Sequence, residues 1–167
     1  IDLIDRRTLR NWDHFGTEVD RRRPDVLGFT MLSVDYDAVM HEASLAKQVR
    51  PQVITIVGGP HPTISPKEVA ADPHIDHIIT GEGEISFVDF LRQLERGDQP
   101  PRMIRGQQPD LDVLPFADRD LYLEEWHRAG YSLTSPESPL CPELPPPFVT
   151  VIAGRGCLYN CSFCKPA

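Results

Sequence analysis

The polar and apolar positions of this chain alternate between two periods. DVLGFTMLSV (25–34), QVITIVGG (52–59) and IDHIIT (75–80) are nearly continuous apolar runs of strand length. Such runs suit strands covered on both faces, as in a parallel α/β sheet. Between them the spacing turns helical. Val39, Ala43 and Ala46 share one face of a helix expected over Tyr36–Val49, with Asp35 or Asp37 as its cap and Pro51 beyond its end. Phe87, Phe90, Leu91 and Leu94 mark a second helix that Gly97 stops. Ser65-Pro66-Lys67-Glu68 reads as the start of a short third, with Ser65 as cap, Pro66 in the first turn and Glu68 completing a capping box. A further short helix is expected around Phe15–Arg22, and Ile1–Asp5 alternates like a half-buried strand.

Strand and helix in alternation, with short connections, predict a doubly wound parallel sheet of the flavodoxin or Rossmann kind. Residues 1–106 form that α/β domain, its first strand expected before Ile1. From Pro100 the pattern dissolves, and 107–147 reads as a linker whose last stretch, PESPLCPELPPP (136–147), holds six prolines in twelve positions. FVTVIA (148–153) is then a new strand leading directly into a cysteine cluster, so 148–167 reads as the start of a second domain. The chain opens without a Met, and we expect it to be a fragment, cut at the front as well as the back.

Composition narrows the class. A net charge of −8 argues against a general nucleic-acid binder, which needs a basic face. Arg21-Arg22-Arg23, the one basic run, reads as a solvated helix end before Pro24. No apolar run approaches the roughly eighteen residues of a membrane span, and no secretory leader is evident. Three of the four cysteines are clustered, which favours metal binding in a reducing cytoplasm over a disulfide framework.

Ligands of open parallel sheets sit beyond the carboxyl ends of the strands. Here those ends carry Met31-Leu32-Ser33, then Gly58-Gly59-Pro60-His61-Pro62-Thr63, then Gly81-Glu82-Gly83-Glu84. Glycine lets backbone amides approach a ligand closely, and two glycine loops on one edge favour a cofactor crevice. Neither matches G-x-G-x-x-G, and Glu82 and Glu84 would repel a nucleotide phosphate. His61 is the one side chain there able to coordinate a metal, although a loop histidine bonded to backbone is the commoner role. His74 and His77, spaced like a ligand pair, read as ordinary residues at the start of a strand.

Cys157, Cys161 and Cys164 offer three thiolates within one loop, a set that suits zinc or iron–sulfur chemistry. Structural zinc normally takes four protein ligands, and Cys141 and His127 lie outside the loop. A disulfide closing so short a loop gains little and leaves one thiol over. Three ligands suit a cubane cluster with one iron open to a substrate or cofactor.

The strand, Gly154-Arg155-Gly156 and the C-x-x-x-C-x-x-C spacing, with Phe163 before the last cysteine, resemble the cluster loop of radical S-adenosylmethionine (radical SAM) enzymes. Upstream, VGGPHPT, IDHIITGEGEISFVDFL and LDVLPFADRDL resemble the cobalamin-binding domain that precedes this loop in one large subgroup. The resemblance implies a 4Fe–4S cluster on Cys157, Cys161 and Cys164, with S-adenosylmethionine on the fourth iron and Phe163 in its vicinity. It also implies cobalamin at the crevice of Ser33, Gly58, Gly59, His61, Gly81, Glu82 and Gly83. The loop would open a TIM-like radical SAM barrel, of which this chain holds only the beginning. One-electron cleavage of S-adenosylmethionine to a 5′-deoxyadenosyl radical, commonly for methyl transfer to an unactivated carbon, is the implied activity. Some relatives perform cyclisation or oxidation, and a non-catalytic cobalamin-binding module is a further alternative. Implied partners are a small-molecule substrate and an electron donor such as flavodoxin or ferredoxin. Many cobalamin-binding domains supply a lower axial histidine from Asp-x-His-x-x-Gly; no such motif occurs here, and the axial role is assigned to no residue, His61 included.

Overall fold

In the computed structural model, described over residues 1–130 and Arg155, the sheet contains four strands. They are β1 (Val26–Thr30), β2 (Ile54–Gly58), β3 (His77–Thr80) and β4 (Met103–Arg105). All pair in parallel, in the order β1-β2-β3-β4. The helices are α1 (Trp12–Arg22), α2 (Tyr36–Val49), α3 (Pro60–Ile64), α4 (Pro66–Val69), α5 (Glu84–Glu95) and α6 (Asp120–Arg128). The α/β class expected from the pattern is the one observed.

Successive strand residues point to opposite faces, and both faces are used. Val57 and Ile78 look toward α2 and α4, packing with Met31, Val39, Ala43, Val69 and Ile75. Their neighbours Ile56 and Ile79 look the other way, onto Phe90 of α5 with Phe87, Leu91 and Leu94. Helices on both faces explain why these strands carry no polar alternation. Gly28 on β1 lies beneath this face, where a Cβ built on it would meet the Phe87 ring at 3.6 Å, an ordinary contact distance.

The amino-terminal ends of β2 and β3 are joined by one carboxylate. Asp76 accepts from the Thr55 amide at 2.8 Å and the Thr55 hydroxyl at 3.0 Å, and it receives the Lys47 ammonium of α2. Burial pushes the Asp76 carboxyl up, but the Lys47 bond and the two from Thr55 outweigh it and hold the group below the usual carboxylate value. A carboxylate with a depressed folded pKa stabilises fully above its unfolded value and loses that stabilisation as pH falls through the folded one. Asp76→Asn is therefore expected to cost about 1 kcal/mol at neutral pH, a figure kept low for the solvent reaching this partly exposed pair. Chemical denaturation at pH 7 and pH 3 checks it: the deficit should shrink at the lower pH.

The chain divides into two compact units, the described parts being 19–114 in one and 1–18 with 115–130 and Arg155 in the other. In the second unit the amino terminus differs from expectation. Ile1–Asp5 is not a strand. The Asp5 carboxylate accepts the Trp126 indole N–H at 2.9 Å and a forked pair of bonds from Arg7, and Asp5 caps a 3-10 turn over Arg6–Thr8. With its acidic group spent on α6 and its own turn, the segment has no sheet face to present, and Ile1 is fully exposed.

Other local differences are smaller. α3 forms where a loop was expected, α4 begins at Pro66 with no side-chain bond from Ser65, and β4 and α6 arise beyond Pro100. The proline-rich 136–147, the strand expected at 148–153 and the cysteine cluster lie outside the described residues.

Candidate functional site at the carboxyl ends of the strands

Each strand of the β1–β3 set hands over to a helix through a loop, and hydrogen bonds stitch the three loops together. β1 and β2 run in register to Thr30 and Gly58, after which the Met31 amide donates to Gly58 O at 2.9 Å. The chain then turns at Gly59, whose φ of 107° lies where side-chain-bearing residues are rarely found. A Cβ there would meet Met31 O at 3.0 Å and Met31 N at 3.1 Å. This turn brings the His61 amide onto Met31 O at 3.1 Å. The third loop is held by Thr63: its hydroxyl donates to Gly59 O at 2.9 Å and accepts the Gly81 amide at 2.8 Å.

Ser33, Gly58, Gly59, His61, Gly81, Glu82 and Gly83 thus all lie at one edge of the sheet, on loops bonded to one another. Within that edge their surroundings differ. A Cβ on Gly83 would meet nothing within 4 Å, so the loop backbone faces open space. His61 is buried, 8 % exposed, with Nδ1 3.0 Å from Ser33 Oγ and Nε2 3.6 Å from a Glu68 carboxylate oxygen. The Tyr36 ring stands 5.1 Å from the imidazole, centroid to centroid. The imidazole is therefore enclosed by α2, α4 and the β1 loop and does not project into solvent.

Sequence reading placed Thr63 only within the second loop, Glu68 only in a capping box and Tyr36 only at a helix start; in the fold they hold His61 and the loops in place. It missed Gly106 after β4. A Cβ there would fall only 2.1 Å from Glu82 O, so β4 ends against the glycine loop as only glycine allows. Among the described residues no three His, Cys, Asp or Glu side chains gather as a metal site. Cys157, Cys161, Cys164 and Phe163 lie outside those residues. Among the described residues no helix is long and apolar enough to cross a membrane.

Comparison with known proteins decides the family. A family model described as the B12 binding domain matches residues 1–91, more than half of the chain. The chain belongs to the B12-binding domain family. The match runs into α5 and so includes all three loops of the strand-end edge. An uncharacterized methyltransferase of Pyrococcus horikoshii is 29% identical over 85% of this chain and 31% of its own length. An anaerobic magnesium-protoporphyrin IX monomethyl ester cyclase of Rubrivivax gelatinosus is 24% identical over 92% of the chain and 29% of its length. The cobalamin-dependent radical SAM methyltransferase TokK of Streptomyces tokunonensis is 25% identical over 84% of the chain and 22% of its length. The chain spans less than a third of each of these relatives.

The residues of the edge fit the cofactor of a B12-binding domain. A broad macrocycle with a fringe of polar side chains needs an open backbone edge and apolar cover. Gly83 faces open space, and Leu32, Val34 and Ile64 beside the loops are exposed apolar side chains. The His61 imidazole at this edge is buried and turned toward Ser33 and Glu68.

Proposed function

We propose that the chain is the cobalamin-holding part of a radical SAM enzyme, with cobalamin seated on the loops of Ser33, Gly58–His61 and Gly81–Gly83. The observation that carries this reading is an order along the sequence: a B12-binding match over residues 1–91, then Cys157, Cys161 and Cys164 in one loop. The name of the TokK relative, which combines cobalamin with radical SAM chemistry, supports it.

In this reading the cysteines hold a 4Fe–4S cluster that leaves one iron for S-adenosylmethionine, near Phe163. The cofactors supply one-electron cleavage of S-adenosylmethionine to a 5′-deoxyadenosyl radical and a transferable methyl group, while the protein binds and orients them and excludes water. The chain's own contributions are defined by its chemistry. Backbone groups of the glycine loops and the exposed side chains of Leu32 and Val34 would hold the macrocycle, and Thr63 keeps two of the loops in fixed relation. Methyl transfer to an unactivated carbon of a small molecule is the reaction favoured by the methyltransferase names among the relatives. The cyclase relative, which aligns over 92% of the chain, favours a second reading in which the same architecture closes a ring. Either reaction takes electrons from a donor such as flavodoxin or ferredoxin and belongs in a reducing cytoplasm.

Anaerobic reconstitution of the full-length protein with iron and sulfide tests the proposal. We expect a brown protein holding about four irons, reduced to background by Cys161→Ala. One zinc per protein and no iron would overturn it.

A further inference from the structure

We infer that Ser33 faces the crevice as a hydrogen-bond acceptor only, its hydroxyl hydrogen committed to His61, and so selects corrinoid side chains that carry amide N–H donors. The inference rests on cobalamin binding at this edge and specifies what one residue there recognises.

The His61 imidazole sets this arrangement. Its two nitrogens face different groups: Nδ1 the Ser33 hydroxyl at 3.0 Å, and Nε2 the Glu68 carboxylate at 3.6 Å. A neutral imidazole carries one N–H, and its location is set by what each nitrogen faces. With the hydrogen on Nδ1, the Nε2 lone pair would face the Glu68 carboxylate oxygen 3.6 Å away, an arrangement that like-signed electron density disfavours even though the Glu68 side chain is half exposed. With the hydrogen on Nε2, an N–H dipole points at Glu68 and Nδ1 becomes an acceptor. Nε2 is buried and has no hydrogen-bond partner, so the Glu68 charge is what biases it. The second tautomer is the one this geometry selects.

Its consequence passes to Ser33. A hydroxyl has one hydrogen to give and two lone pairs to offer. Nδ1 takes the hydrogen, and Ser33 is itself exposed in the loop that follows β1, so lone pairs are what remain for a ligand. An acceptor at a fixed point rewards an N–H and leaves an ester or carboxylate oxygen unpaired. Cobalamin carries primary amides around its macrocycle, and these have the required donor. Glu68 thus acts on the ligand through His61 and Ser33 without touching it, which makes His61 a positioning residue.

Two corrinoids separate this from simple loss of fit: a cobyrinic acid heptaamide, and its heptamethyl ester, which has acceptors in place of every amide. Titrated into the full chain, the heptaamide should bind more tightly. Ser33→Ala should weaken the heptaamide about tenfold, the loss of one hydrogen bond. It should leave the ester unchanged, and Ser33→Thr should restore heptaamide binding. Nitrogen-15 NMR of the ligand-free chain should show His61 protonated on Nε2. Equal weakening of both corrinoids by Ser33→Ala, no weakening of either, or a His61 proton on Nδ1 would overturn the inference while cobalamin binding stood. If the wild-type chain bound neither corrinoid, the cobalamin reading would fall and this inference with it.

Discussion

Gly59→Val is expected to lower cobalamin affinity by about 100-fold or more, the equivalent of losing roughly 2.7 kcal/mol. Gly59 sits at φ 107° and ψ −171°, a combination reached by almost no residue but glycine, and forcing another residue there costs on the order of 1–3 kcal/mol. Steric contact adds to this, because a Cβ would press on Met31 O at 3.0 Å and Met31 N at 3.1 Å. Those atoms cannot easily retreat, since one accepts from the His61 amide and the other donates to Gly58 O. The loop itself must therefore move, and with it Thr63 and the Gly81 amide bonded to it. Far-ultraviolet circular dichroism should show a sheet of near-normal content, and equilibrium dialysis the lost binding. Affinity within a factor of about three of wild type would show that the loop does not form the site.

Phe90→Ala is expected to reduce stability by about 3–5 kcal/mol, the usual loss for a buried phenylalanine truncated in a core that cannot collapse around the space. Phe90 is fully buried against Ile56 and Ile79, stacked with Phe87 at 6.2 Å between centroids and met edge-on by His77 at 4.8 Å. It therefore joins α5 to the centre of the sheet from below Gly81–Gly83, the loop from which α5 starts. Urea denaturation checks the value. A loss under about 1 kcal/mol would mean that α5 is not held by this core face. Cobalamin binding by the folded fraction should change far less than for Gly59→Val.

The parts legible in the sequence were those fixed by near neighbours. Val53–Val57 and Ile75–Ile79 announce themselves because strands covered on both faces have no polar alternation, and Gly97 ends α5 with φ 79° as the spacing indicated. The rest depended on distant or unusual partners. Ile1–Asp5 alternates like a strand, yet Asp5 is claimed by Trp126, 121 positions away. α3 was hidden by its own composition, PHPTI: both prolines fall in the first turn, where an amide hydrogen is not needed. β4 has only three residues, too few for a pattern, and is formed by pairing with β3. At the candidate site the glycines were legible from their positions after strands. The Ser33–His61–Glu68 relation was not, because it joins a loop, α3 and α4, and only the folded chain brings them together.

The most direct test of the central claim is amide hydrogen exchange of the chain with and without cobalamin. Binding on the strand-end loops predicts slower exchange in Met31–Val34, Gly58–Thr63 and Gly81–Glu84, with no change at Thr55 and Asp76 on the opposite ends of the strands. Unchanged exchange in all three loops at saturating cobalamin, or protection confined to other segments, would contradict it.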